Sequence, residues 1–119
     1  MEIPKIFDSE YRFCLILWEH EPINSTKLSL LCKEQLGWSK ATTYTVIRRL
    51  VERGVLCNEN ATVRSLVSKE DVQVAELDEL VKKTFEGSIP AFIAAFSRSR
   101  KLSPEEIASL QKLIDSYRR

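Results

Sequence analysis

Histidine is almost missing from this chain: His20 is the only one. General acid–base catalysis and transition-metal binding both lean on imidazole, so its scarcity narrows both. His20 and Cys14 fall on one predicted helix at a spacing that points them to well-separated faces, which excludes a base–nucleophile pair. Near the C-terminal end of that helix, His20 sits where a cation is favoured. Glycine is scarce too. Gly37, Gly54 and Gly87 are scattered as helix stops, so there is no glycine-rich loop to cradle a phosphate. Cys14, Cys32 and Cys57 are odd in number and no pair has CxxC spacing, which argues against a disulfide framework and against a zinc site. Cys14 and Cys32 stand among apolar helical residues, where a free thiol behaves as a small hydrophobe. Helix starts and solvated faces account for the acidic pairs Asp78-Glu79 and Glu105-Glu106. No catalytic constellation, metal site or cofactor motif emerges, and an enzyme is not expected.

Long apolar runs are also missing. No stretch could span a bilayer, so membrane insertion is not expected. The opening MEIPKIFDSE lacks the basic start and apolar stretch of a secretory signal, which makes the cytoplasm the expected location. A strong charge excess is absent as well: the net charge is +1, below the basicity common in nucleic-acid binders. Charge is concentrated locally instead. Lys40, Arg48, Arg49 and Arg53 share one predicted helix and are opposed within it only by Glu52, and a local basic face can bind phosphate in a protein that is neutral overall.

That helix lies in WSKATTYTVIRRLVERG, residues 38–54, the stretch around which the chain is organised. Ser39 can cap it, and neither Gly nor Pro interrupts the run from there to Arg53. Arg53 places a cation in the last turn and Gly54 supplies a left-handed stop. Val46, Ile47, Leu50 and Val51 make an apolar stripe. Thr42, Thr45 and Arg49 share a second face, with short hydroxyls near the N-terminus and a guanidinium further along. Such a face suits a major groove: threonine can bond a base edge or touch a thymine methyl, and arginine can bind guanine or phosphate. A solvated surface is the plain alternative, and the neighbouring elements weigh against it.

Asp8 or Ser9 starts a first helix running to about His20, with Phe13, Leu17 and Trp18 on one face and Cys14 beside them. Glu21-Pro22 ends it. Asn24 or Ser25 caps a second helix whose stripe is Leu28, Leu31, Cys32 and Leu36, and Gly37 stops it. Two short helices, a turn holding a glycine and a third helix form a helix-turn-helix pattern. Residues 55–57 and 63–67 then read as short strands around a turn at 58–62. The expected architecture is mostly α: a winged helix-turn-helix domain over residues 1–67, with a short wing, and then a helical region over residues 68–119.

In that second region Ser68 caps a helix with the stripe Val74, Leu77, Leu80, Val81 and Phe85, which Gly87 ends. Ile89, Phe92, Ile93 and Phe96 line a short helix. A polar, basic linker over residues 97–101 comes next. Ser103-Pro104-Glu105-Glu106 then opens a last helix with a capping box, and Ile107, Leu110, Leu113, Ile114 and Tyr117 lie on one side of it. These helices are too small to close a core alone. A winged helix is already a closed unit, so a two-fold homodimer is the expected solution, with Leu77, Leu80, Val81, Phe85, Phe92, Phe96, Ile107, Leu110, Leu113 and Ile114 as the dimerisation surface. It would also set two third helices on two half-sites.

Several of these residues carry a resemblance: Ser9-Glu10, Leu17-Trp18, Pro22, Trp38-Ser39, Thr42, Thr45, Arg49-Leu50, Gly54, then residues 66–70 (LVSKE) and 102–107 (LSPEEI). In this order they resemble the penicillinase-repressor family, the transcriptional repressors of beta-lactamase and methicillin-resistance genes. The resemblance spans nearly the whole chain. It implies a homodimeric winged-helix repressor on an inverted repeat in duplex DNA, with base and phosphate contacts at Thr42, Tyr44, Thr45 and Arg49. Ser39, Lys40 and Arg48 complete the candidate DNA surface on the helix. It also brings in a cognate membrane sensor protease as a candidate partner.

Three departures stand out. The wing is shorter, lacks the family's Gly-Arg turn and its adjoining aromatic, and leaves Arg64 as its one candidate contact. The family's Asn-Phe cleavage position corresponds to Ala95-Phe96, which speaks against that cleavage. The C-terminal DSYRR has no Cys, which speaks against copper control of the kind found in some relatives. The weak net charge and reduced wing keep a second reading in view, a winged-helix protein-interaction module without specific DNA binding.

Overall fold

The computed structural model describes residues 2–118. Its elements in chain order are α1 (Asp8–His20), β1 (Ile23–Asn24), α2 (Ser25–Leu36), α3 (Lys40–Glu52), β2 (Leu56–Glu59), β3 (Thr62–Ser65), α4 (Lys69–Phe85), α5 (Ile89–Ser99) and α6 (Pro104–Ser116). Local chemistry sets most helix ends. The Asn24 side chain accepts the Thr26 N–H at 2.8 Å and starts α2. Gly37 ends that helix at φ 71°, a left-handed conformation that costs glycine least. Ser68 Oγ accepts the Asp71 N–H at 3.0 Å. Ser103 and Glu106 exchange the two bonds of a capping box, which holds the Glu106 carboxyl below its ordinary range.

The chain divides into two compact units, Met1–Glu76 and Leu77–Arg119, with the division falling inside α4. The first unit has a closed core. Phe13, Leu17, Leu28, Leu50, Leu56 and Val63 are fully buried, and Cys14 and Cys32 pack among them as apolar groups. Each such Leu or Phe contributes roughly 1.5–3 kcal/mol by leaving water. Trp38, in the turn between α2 and α3, stacks on Phe13 with ring centroids 6.0 Å apart and planes within 5°. This contact ties the turn to the core and so fixes where α3 begins.

The sheet order is β1-β3-β2, antiparallel throughout. The expected hairpin is formed by β2 and β3, and β1 joins it as a third strand, with Ile23 opposite Val63 and Asn24 opposite Thr62. The strands are also shifted from expectation. Val55 precedes β2, while Leu66 and Val67 come after β3 and lead into α4. The turn shrinks to Asn60 and Ala61, at φ 51° and 64°, because a tight two-residue hairpin needs both central residues on the positive side. At the end of β3, Glu21 accepts the Ser65 N–H at 2.6 Å and its hydroxyl at 2.9 Å.

Other expectations also need correction. Val51 is 40% exposed, and Thr43 takes its place on the buried stripe of α3 with Val46, Ile47 and Leu50. Val72, not Val74, turns into the core from α4. α5 runs through Ser99, so the first three residues of the expected basic linker are helical.

In the second unit Val81 is buried, and Phe85, Phe92 and Phe96 form a chain of ring contacts with centroids 5.7 and 6.4 Å apart. Among the described residues of α5 and α6 none is buried. Leu77, Leu80, Phe96, Ile107, Leu110, Leu113 and Ile114 are exposed, from 38% at Phe96 and Leu110 to 57% at Ile114. Within the described residues, no helix is long and apolar enough to cross a membrane.

Candidate nucleic-acid interface

α3 displays its outward face through its own cap and its own stripe. Ser39 Oγ accepts the Thr42 N–H at 3.1 Å and donates to Thr42 Oγ1 at 3.0 Å. This exchange satisfies an orphan amide at the helix start and fixes the orientation of both hydroxyls. Thr43, Val46, Ile47 and Leu50 fill the inner side, which turns Thr42 and Arg49 to solvent and leaves Thr45 half-buried between the two faces. Lys40, Arg48 and Arg49 are exposed, and none of the three makes a salt bridge among the described residues. They present a cationic surface that an anion can reach.

Tyr44 connects this face to α2. Its ring packs partly against the core, Lys40 Nζ lies 5.8 Å from the ring centre, and its hydroxyl donates to Ser25 Oγ at 3.4 Å. Hydrogen bonding with the Ser25 and Thr26 side chains, and after it the Lys40 charge, holds its phenol below the ordinary range. Ser25 reaches the hairpin as well, its N–H donating to the Ala61 carbonyl at 2.8 Å. The buried Ser25 thus touches both α3 and the hairpin tip, a link that sequence reasoning treated only as a helix start. Arg64 is exposed on β3 opposite Cys57, apart from the α3 set.

The basic cluster expected on α3 loses one member. Arg53 bonds Glu10 of α1, donates from Nη1 to the Lys5 carbonyl at 3.0 Å and covers the Phe7 ring at 5.4 Å. The interface therefore rests on Lys40, Arg48 and Arg49 for charge. Cys14 and Cys32 are apolar fillers: burial, with the Glu10 and Glu21 carboxylates, pushes the Cys14 thiol up to about 12, and burial raises that of Cys32. No group of His, Cys, Asp or Glu among the described residues could hold a metal ion.

Three helices, the β1-β3-β2 sheet closing behind the third and a polar, basic α3 surface define a winged-helix protein with a helical C-terminal extension. The penicillinase repressor family model matches residues 6–116, and the chain belongs to that family. Among its relatives is the penicillinase repressor of Bacillus licheniformis, 25% identical over 122 residues, covering 98% of this chain and 94% of that protein. Another is the methicillin resistance regulatory protein MecI of Staphylococcus aureus, 24% identical over 115 residues, covering 93% and 94%. A solved structure similar to this chain is the solution structure of Bacillus licheniformis BlaI, monomeric form, in complex with the blaP half-operator. Its TM-score is 0.51 at 26% identity, over 59% of this chain and 90% of that one.

Proposed function

We propose that the chain is a homodimeric transcriptional repressor that binds a palindromic operator in duplex DNA through α3, in the cytoplasm of a bacterial cell. The observation that carries this reading is the outward face of α3. Thr42 and Arg49 are solvent-facing at helical spacing, and Lys40 and Arg48 beside them have no acidic partner among the described residues. A major groove offers base edges to the threonines and guanine or phosphate to the arginine. Lys40, Arg48 and the phenol of Tyr44 face the backbone phosphates. Family membership and the operator-bound BlaI structure support the same assignment. It requires no catalytic step.

The second unit supports the dimer. Its apolar residues on α4, α5 and α6 have too little of the chain to cover them, and a second copy would bury them with two-fold symmetry. A cognate membrane sensor protease rests on the resemblance alone. Ala95 and Phe96 lie inside α5, where the helical backbone opposes the extended conformation a protease needs.

Selection from a random duplex library at low salt tests the reading. Enrichment of a two-fold symmetric site, with affinity falling steeply as salt rises, is expected. No enrichment by the folded protein overturns it in favour of a protein-interaction module.

A further inference from the structure

We propose that Arg53, acting with Glu10, is a positioning residue for the DNA-binding face: the pair anchors the C-terminal end of α3 to the N-terminal arm and so sets the angle at which Thr42, Thr45 and Arg49 are presented. The proposal rests on the DNA-binding reading above and names a part of that interface which touches no DNA.

Arg53 is the residue at which α3 ends, at φ −89° and ψ 0°. Its guanidinium is held from three directions. The Glu10 carboxylate bonds one nitrogen, the Lys5 carbonyl accepts from another at 3.0 Å, and the Phe7 ring lies beneath the carbon at 5.4 Å. Glu10 is 7% exposed, and its other oxygen accepts the Phe7 N–H at 2.9 Å. A carboxylate so enclosed is costly to leave alone, so the end of α3 cannot swing away from α1 without baring a buried charge. The arm is itself held, because Ile6 is buried in the core and Ile3 packs against it. The anchor therefore runs from the core through Ile6, Phe7 and Glu10 to Arg53, one helical turn beyond Arg49.

Guanidinium chemistry suits this task. A planar fork can bond two acceptors on different segments while its face rests on an aromatic ring, and an ammonium cannot do all three. The same engagement removes Arg53 from phosphate binding. A basic residue at the end of a DNA-reading helix would ordinarily be counted as a phosphate contact; here its donors are turned back onto the protein.

The test uses the full chain, a two-fold symmetric duplex recovered by selection and a scrambled duplex of equal length. Variants are Arg53→Met, Arg53→Lys, Glu10→Gln and the double variant Glu10→Gln/Arg53→Met, each compared at a temperature where circular dichroism shows it folded. Arg53→Met is expected to lower affinity for the symmetric site about tenfold and to leave the scrambled duplex unchanged. The slope of log affinity against log salt should stay at the wild-type value. Arg53→Lys should recover part of the loss, and the double variant should lose no more than Arg53→Met alone. Amide exchange in the last turn of α3 should quicken while α6 is unaffected.

Equal loss on both duplexes with a salt slope reduced by about one would make Arg53 a phosphate contact and overturn the proposal. Unchanged discrimination between the duplexes in Arg53→Met would overturn it too. If Arg53→Met fails to fold, Glu10→Gln, which keeps the shape of the carboxylate, carries the same comparison. A wild-type protein that selects no duplex would refute the DNA-binding reading instead. Amide exchange would then still separate an anchored α3 end, quickened in the variants, from an unanchored one.

Discussion

The Trp18 indole N–H donates to the Val67 carbonyl at 3.0 Å, joining two residues 49 apart in the chain. Val67 is buried just before α4, and its carbonyl takes this bond in a partly buried position. Tyr11 meets Trp18 edge to face at 5.8 Å and accepts from Gln73 Nε2 at 3.4 Å. These contacts fasten the first turns of α4 to α1, which explains why the first compact unit extends into that helix. Trp18→Phe keeps a ring and removes the donor. It should lower stability by about 1–2 kcal/mol in urea unfolding. An unchanged midpoint would mean that the Val67 carbonyl finds another donor.

Thr43 presents the opposite case. It is fully buried on α3, and among the described residues its hydroxyl makes no well-formed hydrogen bond: only the Cys32 thiol, a weak acceptor, faces it. Enclosing a hydroxyl without a partner costs free energy, and valine has nearly the same shape and helix propensity. Thr43→Val should therefore raise stability, by up to about 1 kcal/mol, and leave DNA affinity unchanged. A loss of stability measured by thermal unfolding would show that the hydroxyl is satisfied.

Cys14 gives a pH dependence of definite sign. Its thiol stands at about 12 in the folded chain against an ordinary 9.0, through burial first and then the Glu10 and Glu21 carboxylates. A raised value means that the folded state holds its proton longer than the unfolded one. The contribution is complete below pH 9.0 and is lost as pH rises towards about 12. Cys14→Ala deletes this dependence, so the stability difference between wild type and variant should shrink over that range. A difference that stays flat in alkaline urea titrations would refute it. At neutral pH the folded protein should also leave Cys14 unmodified by thiol reagents, because the thiolate is the reactive form.

Much of the fold was legible because its signals are local. Asn24, Ser39, Ser68 and Ser103 all cap helices where the sequence places such residues, and Gly37 and Gly54 adopt positive φ at helix ends. Features that escaped depend on distant partners. β1 has two residues and exists only through pairing with β3, on the far side of α2, α3 and β2 in the chain. The stripe of α3 is rotated from expectation, because Thr43 is tolerated inside while Val51 is left outside. The outward face was readable from spacing, yet Arg53 was counted in the basic cluster of the same helix, since its partner Glu10 lies 43 residues earlier and no local rule links the two.

The apolar surface of the second unit predicts how the chain assembles. Leu110 and Leu113 lie on α6 at i, i+3 and are 38% and 54% exposed, so they share a face without covering each other from water. If a second copy covers them, Leu113→Glu would bury a charge on each side of a symmetric interface. Sedimentation should show wild-type protein as a dimer and the variant as a monomer. A monomeric wild type at the concentrations used for DNA binding would contradict the two-fold arrangement.

Arg49 offers the most direct probe of the α3 face. Its guanidinium is exposed one turn before the Arg53 anchor and makes no salt bridge among the described residues, so its removal leaves no buried partner behind. Loss of stability in Arg49→Ala should thus be small, and any loss of affinity can be assigned to DNA. A bidentate contact to guanine would cost about 1–3 kcal/mol on the selected site and relax preference at one base position in each half-site. A phosphate contact would weaken all duplexes alike and lower the salt slope by about one. Measuring Arg49→Ala on the selected and scrambled duplexes across a salt series separates the two. Unchanged affinity on both would remove Arg49 from the interface and turn α3 away from the groove.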